Sequence, residues 1–446
     1  MGLKAATEIS RVRAWAVAFV ATLAMSVSYI DRQILAALAK SVREALTIDH
    51  TQFGWLAGAF SIAYLIAAPI SGVVVDKVGA RTSLIVAMLL WSVVSASHAI
   101  VGSFFMLFAL RIALGTAESP SFPAAAQAIR RVLPPQDRSA GYGLLFTGSS
   151  IGAMIAAPLA IAVKAAHGWR AAFLVGSAVG LLWLPLWILA TQNDRVRARL
   201  ADPDLDRKAE SQPSESQPPE SRWLLLRRPV VHRAVWLVVM ASPGVMFVLI
   251  WFPQFLEKAF LVNENDIGHY AWMPPLFFDA GAVIFGWIAS RRERGAGEGS
   301  ERSERDLGQK AKSASKEATS SHADLMLIAG LLASSILTMP YASSPWMAVF
   351  IASTSLAGGG ALFARLTADM IARVDPAHVS TAGGITAAAQ SLAYVIANPL
   401  VGHSVDATGA FGRAVVSIGC LAFPGALVWV LWPLGHRTEI SDVPEK

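Results

Sequence analysis

The 446 residues are 54% hydrophobic and only 15% charged, with a mean hydropathy of +0.50; soluble domains carry about 25% charge, so an ordinary soluble enzyme and a largely disordered chain are both excluded. The net charge of +6 does not point to nucleic acid, because the basic residues lie in short clusters between apolar segments and form no basic stripe. One cysteine, Cys420, can make neither an internal disulfide nor a thiolate metal site.

A membrane helix needs about 20 apolar residues. Twelve such segments follow one another at 14–38, 52–75, 82–101, 104–128, 140–163, 170–190, 233–256, 269–290, 324–343, 346–371, 381–402 and 413–433. The first follows Lys4, Arg11 and Arg13 and carries no small-residue cleavage site, so it reads as a membrane helix and not a removed signal. Only helices or closed barrels satisfy their backbone in lipid, and no ten-residue stretch alternates with period two. The expectation is an all-α membrane protein with twelve transmembrane helices in two six-helix bundles.

Two stretches interrupt the pattern. Residues 191–232 are rich in charge, Ser and Pro and divide the chain into six spans before and six after; residues 291–323 have no periodic apolar face. Both read as disordered linkers. The domains are then an N-terminal bundle at 1–190, a cytoplasmic linker at 191–232, and a C-terminal bundle at 233–446 with a loop at 291–323. With the N-terminus inside, 28 of the 37 basic residues fall on inner segments and six on outer loops. That asymmetry places both termini in the cytoplasm of an inner-membrane, multi-pass protein. Its surroundings are the lipid bilayer, and it is expected to act as a monomer without a cofactor.

Four acidic residues lie within or at the edge of spans: Asp31, Glu118, Asp279 and Asp369. An ionised side chain at mid-membrane costs about 2.5–3.5 kcal/mol or more, so each needs a partner or a water-filled cavity. In SYIDRQIL, Asp31 and Arg32 are adjacent and point about 100° apart, whereas Tyr29 and Arg32 share a face. Arg111 and Glu118, seven apart, look to the same side of the fourth helix, and Pro120 and Pro123 should kink it beside the acid. The bland reading is an internal clamp; the functional one is a proton and anion site. A carboxyl shielded from water can carry a proton near neutral pH, a neighbouring Arg discharges it, and an anion that takes over the Arg lets the proton return. Such cooperative binding is what symport requires.

In the second half, HYAWMPPLFFDAG sets two prolines and Asp279 among aromatics, a kinked packing helix or a site lining. Arg365 and Asp369 are four apart and read as an intrahelical ion pair. Trp251, Phe252 and Gln254 suit either a cap on a sugar-like ligand or an interfacial belt. Gly54/Gly58, Gly148/Gly152, Gly176/Gly180 and Gly358–Gly360 have the spacing of close helix packing. His98, His269 and His403 fall at helix ends and read as interfacial.

Between the second and third spans stands GVVVDKVGAR, residues 72–81. It resembles the G-x-x-x-D-K/R-x-G-x-R/K loop of the major facilitator superfamily, with Gly72 and Gly79 permitting a tight turn, Asp76 capping or bridging to a neighbouring helix, and Lys77 and Arg81 completing the motif. The equivalent place in the second half, GWIASRRER, has Ser290 where the acid would stand. SYIDRQIL, AFSIAYLIAAPISG, RIALGTAESPSFPAAA, GSSIGAMIAAPL and IWFPQFL look like the anion:cation symporter family, and AWMPPLFFDAG like its hexuronate-transporter branch. The resemblance implies alternating access, a proton-coupled import of sugar acids or other organic anions, Asp31 and Glu118 as proton-coupled carboxylates, Arg32 and Tyr64 on the substrate carboxylate, and Arg111 tuning Glu118. Ser28 stands where the family usually has Asn, Phe146 replaces a frequent Asn, Ser149 stands where some sugar-acid carriers have Gln, and Ala387 replaces a substrate-binding Asn. These departures leave the coupling residues intact and alter positions that would meet substrate hydroxyls. A proton-driven exporter of amphipathic compounds and a transporter-like ligand sensor are the rival readings; no nucleophile–base or metal set points to an enzyme.

Overall fold

A computed structural model describes residues 9–201, 227–301, 323–374 and 379–432, and the regular structure among them is all helical. The first half contains α1 (Arg11–Ala37), α2 (Ala39–Leu46), α3 (His50–Val78), α4 (Ala80–Ser97), α5 (Phe104–Glu118), α6 (Ser121–Val132), α7 (Arg138–His167), α8 (Trp169–Ala190) and α9 (Asp194–Ala201). The second half begins with α10 (Pro229–Met246), which passes through a π turn at Phe247–Trp251 into α11 (Phe252–Phe260). It continues with α12 (Ile267–Ala271), α13 (Met273–Glu301), α14 (323–333, tightening to a 3₁₀ turn over Ser334–Tyr341), α15 (Pro345–Arg373), α16 (Val379–Thr408) and α17 (Gly412–Leu431).

Among the described residues, eleven helical segments are long and apolar enough to cross a membrane. The twelfth expected span is α5 plus α6, which Ser119 and Pro120 break directly after Glu118. Proline supplies no N–H and its ring collides with the preceding turn, so the fourth span is two stacked helices. Pro274 and Pro275 behave differently. The span breaks at Trp272, between α12 and α13, and the two prolines lie in the first turn of α13, where a missing N–H costs nothing.

Within the first half α1 lies along α7 and α8, α3 along α5, and α4 along α8; in the second, α10 packs on α15, α16 and α17, and α13 on α15. The halves meet where α3 runs beside α16 and α7 beside α13. The small-residue spacing has the expected use: a Cβ on Gly148 would stand 2.6 Å from the Thr22 carbonyl, and one on Gly152 would overlap the Ser26 backbone. Each half has its own apolar core, and a third, larger cluster, including Ile34, Phe53, Phe173, Trp251 and Phe411, spans both.

Call the end carrying Arg11, the α3–α4 turn and α9 the near end, and the end carrying α2 and the α11–α12 connection the far end. At the far end the halves are tied together. Glu264 accepts the Ser41 N–H at 3.0 Å and the Ser41 hydroxyl, and pairs with Lys164, which also reaches Asn265. Asp406 of α16 caps the N-terminus of α3 from the other half, accepting the N–H groups of His50 and Thr51 at 3.1 and 2.7 Å. At the near end, Arg11 pairs with Asp137 and Gln127 donates to Asp76 within the first half, and Arg292 pairs with Asp324 and Asp369 with both Arg233 and Arg373 within the second. Asp369 thus links α10 to α15, and its intrahelical partner four residues away is Arg373 on the C-terminal side.

Two expectations about connections change. Residues 194–201 of the supposed disordered linker form α9, whose Val196 and Leu200 are fully buried; the stretch 202–226 lies outside the described residues. Likewise 291–301 continue α13, while 302–322 lie outside the described residues. The GVVVDKVGAR loop explains why α9 docks. Gly79 has φ +86°, and a Cβ there would come within 2.7 Å of the Leu200 carbonyl. Arg81 donates to Thr191 at 3.0 Å and Arg131 to the Leu200 carbonyl at 2.8 Å. Asp76 bridges to α6 by accepting from Gln127 at 2.9 Å, and Lys77 is exposed. Gly72 lies inside α3 with no neighbour in the way of a Cβ, so it does not make the turn.

Candidate substrate and proton site

On α1, Ser28 and Arg32 are one turn apart and face the same carboxylate. The Ser28 hydroxyl donates to Glu118 Oε2 at 2.7 Å and Arg32 Nε to the same oxygen at 2.8 Å. Glu118 has no exposed surface, and the Arg32 side chain retains 18%. The helix break after Glu118 ends α5 there and sets the acid at a gap in the backbone ladder.

Arg32 is held by rings. Its guanidinium carbon lies 5.0 Å from the Tyr29 centroid, 4.5 Å from Phe60 and 5.1 Å from Tyr64. Phe60 and Tyr64, one turn apart on α3, stack at 5.9 Å, and Arg111 lies 5.2 Å from the Phe60 centroid. Quadrupole attraction stabilises a cation here without consuming its N–H donors. Arg32 Nη2, Glu118 Oε1, and Arg111 Nε and Nη1 are buried without a hydrogen-bond partner. Such groups are costly when left alone, and together they form a fork and a second cation suited to a carboxylate.

Asp31, as the 100° offset requires, leaves this cage. Its Oδ1 accepts from Ser95 of α4 at 2.8 Å, and a Cβ on Gly176 of α8 would sit 2.6 Å from that oxygen. The two proposed coupling acids are therefore on different sides of α1.

In the second half, Asp279 faces Ser150 of α7 across the junction of the halves, and the neighbouring Ser149 is half-buried. Gln254 is 3% exposed and neither amide atom has a hydrogen-bond partner. Trp251 is neither a belt residue nor a ligand cap: it is fully buried, edge-on to Phe53 at 5.4 Å, and donates to Asn398 at 2.9 Å. A small cavity at the junction, lined by Gln33, Ala153, Ala157, Leu249, Pro253 and Pro275, lies on the far-end side of Arg32.

The structure thus brings together Tyr29, Arg32, Tyr64, Arg111 and Glu118, and sets Asp31, Trp251 and the Asp76–Arg81 loop elsewhere. Phe60, Ser95, Ser150 and Asn398 were not singled out in the sequence. Phe60 carries no signal there beyond its i, i+4 spacing to Tyr64.

Residues 21–297 match the model of the major facilitator superfamily. The chain is 28% identical over 437 residues to the hexuronate transporter of Escherichia coli K12, covering 97% of this chain and 96% of that one. It is 29% identical over 282 residues to the galacturonate transporter of Dickeya chrysanthemi, covering 61% and 81%. The D-galactonate transporter of Escherichia coli O6:H1 is 25% identical, with 91% and 92% covered. A crystal structure of a bacterial homologue of the human lysosomal transporter Spinster, inward-facing and unoccupied, superimposes with a TM-score of 0.72 at 14% identity, covering 95% of this chain and 97% of the other. The twelve-span helical fold and the match over most of the first half and into the second agree: the chain is a multi-pass membrane transporter, not an enzyme, and belongs to the major facilitator superfamily.

Proposed function

We propose that the protein imports a sugar acid, of the hexuronate or aldonate class, together with protons, by alternating access in the inner membrane, as a monomer with the near end and both termini in the cytoplasm. The observation that carries the reading is the Arg32–Glu118 pair, buried in an aromatic cage with one N–H edge and one carboxylate oxygen unpartnered. A substrate carboxylate that engages the Arg32 fork competes with Glu118 for the same cation. A buried carboxylate that loses its cation is neutralised by taking up a proton, so anion and proton load together. Arg111 supplies the second positive charge. Asp279, Ser149, Gln254 and Tyr29 are the polar groups offered to the rest of the substrate. Relatives named for hexuronate, galacturonate and galactonate transport favour this substrate class, and the contacts that tie the two halves at the far end fit a carrier poised to release substrate at the near end.

The test is transport in proteoliposomes. Counterflow against uronates, aldonates and aromatic acids should select sugar acids, and Glu118→Gln should abolish gradient-driven accumulation while part of the exchange survives. Uptake without proton movement, or accumulation by Glu118→Gln at the normal rate, overturns the reading.

A further inference from the structure

Asp31 sits in the seam between α1, α4 and α8, behind the cage, and Asp31, Ser95 and His98 are each 1% exposed. A proton that neutralises Asp31 from the far end must therefore travel through that seam. One turn beyond Ser95, toward the far end, stands His98; residues three apart share a helix face and are separated by about 4.5 Å along the axis. The sequence suggested an interfacial histidine. Instead the ring is buried and stacks on Phe173 of α8 at 5.2 Å and 20°.

The hydrogen bonding fixes its tautomer. His98 Nδ1 lies 2.9 Å from the Val94 carbonyl oxygen. A carbonyl only accepts, so Nδ1 carries the hydrogen and Nε2 carries the lone pair. That Nε2 is buried with no partner, and so is Oδ2 of Asp31. A packing histidine gains nothing from a buried, unanswered base, whereas a group that receives protons needs one. The outer surface is close: Ile100 is 74% exposed two residues further on. Arg170 of α8 donates to the Val101 carbonyl at 3.0 Å and closes the seam there.

We infer that His98 is a relay that exchanges the proton of Asp31 with solution at the far end, by a route separate from the substrate cavity. The inference rests on the proton-coupled reading above. Nε2 takes a proton from water at the far end and the ring becomes imidazolium. The imidazolium passes a proton from Nε2 through an intervening water to the Ser95 hydroxyl, which hands its own proton to the Asp31 carboxylate. The ring ends neutral, the carboxyl ends protonated, and one proton has moved inward; release runs in reverse. The charges facing these groups are Arg111 of α5 for His98, and Glu118, Arg111 and Arg32 for Asp31; Arg170 lies at the outer end of the path. His98 carries the coupling proton to and from Asp31 and is not a substrate ligand.

The experiment uses the full chain in proteoliposomes containing a pH-sensitive dye, with galacturonate as the probe. His98→Asn keeps a donor for the Val94 carbonyl, and His98→Phe keeps the ring on Phe173; both lack the Nε2 base. Both should slow gradient-driven uptake and lumenal acidification by about a hundredfold, leave counterflow exchange at the wild-type rate, and flatten the dependence of uptake on outside pH. Added imidazole should restore uptake to His98→Ala. Wild-type acidification with unchanged uptake in the variants refutes the relay and leaves proton coupling standing. Parallel loss of exchange and uptake marks a structural histidine and also refutes it. Uptake by the wild type without acidification refutes the coupling reading itself, and the relay with it.

Discussion

Replacing Arg32 by Lys isolates the contribution of the guanidinium fork. In the structure Nε serves Glu118 at 2.8 Å and Nη2 is unpartnered, while three rings hold the plane of the group. Lysine keeps a positive charge near Glu118 and loses the second, parallel donor. One hydrogen bond between charged groups contributes about 1.5–3 kcal/mol. Substrate Kd should therefore rise about 10- to 150-fold at fixed pH. Calorimetric titration of galacturonate into purified protein measures this, with the thermal midpoint as the control, since the charge beside buried Glu118 is retained. Phe60→Leu removes one of the rings under Arg32 and should have a smaller effect, about 0.5–2 kcal/mol. A Kd for Arg32→Lys within about threefold of the wild type, with the fold intact, refutes the fork as the anion site.

Two further outcomes follow from packing and from the far-end contacts. Gly152→Ala drives a methyl into the Ser26 backbone and should cost about 1–3 kcal/mol, read as a lower thermal midpoint; Gly72→Ala, with nothing in the way, should leave it unchanged. Lys164→Met leaves Glu264 without its ammonium partner and should favour opening of the far end. With Cys420→Ser as background and Gln33→Cys as reporter in the junction cavity, labelling from the far side should speed up; equal rates mean the pair does not help hold that end closed.

The fold was readable because lipid leaves a chain so few choices: twelve apolar segments without period-two alternation have one helical solution. The break at Pro120 and the separate faces of Asp31 and Arg32 also followed from backbone geometry alone. Charged residues inside apolar runs are so costly that Arg32, Arg111 and Glu118 announced themselves. What stayed hidden was whatever looks ordinary in one dimension. Phe60 is one apolar residue among many until Arg32 and Arg111 lie against it. His98 ends a span, as interfacial residues do, and only the tertiary packing buries it. Trp251 resembles a belt residue until Asn398, 147 positions away, receives its indole N–H. The α9 helix has only Val196 and Leu200 as large apolar residues, too short a pattern to separate from a linker, and it is the Gly79 and Arg131 contacts that give it a dock.

The α3–α16 boundary has a mechanical corollary. Gly54 abuts the backbone at Asn398 and Pro399, Gly58 faces Val395, and Gly402 abuts the backbone at His50 and Thr51. Main chain rests on main chain there, without interlocking teeth. Two smooth rods in such contact can part and meet again with little repacking, so in the proposed cycle this line is suited to act as a resealable seam at the far end. Bulky substitution at Gly54 or Gly402 would act as a doorstop, propping that seam ajar without touching a single ligand-facing atom.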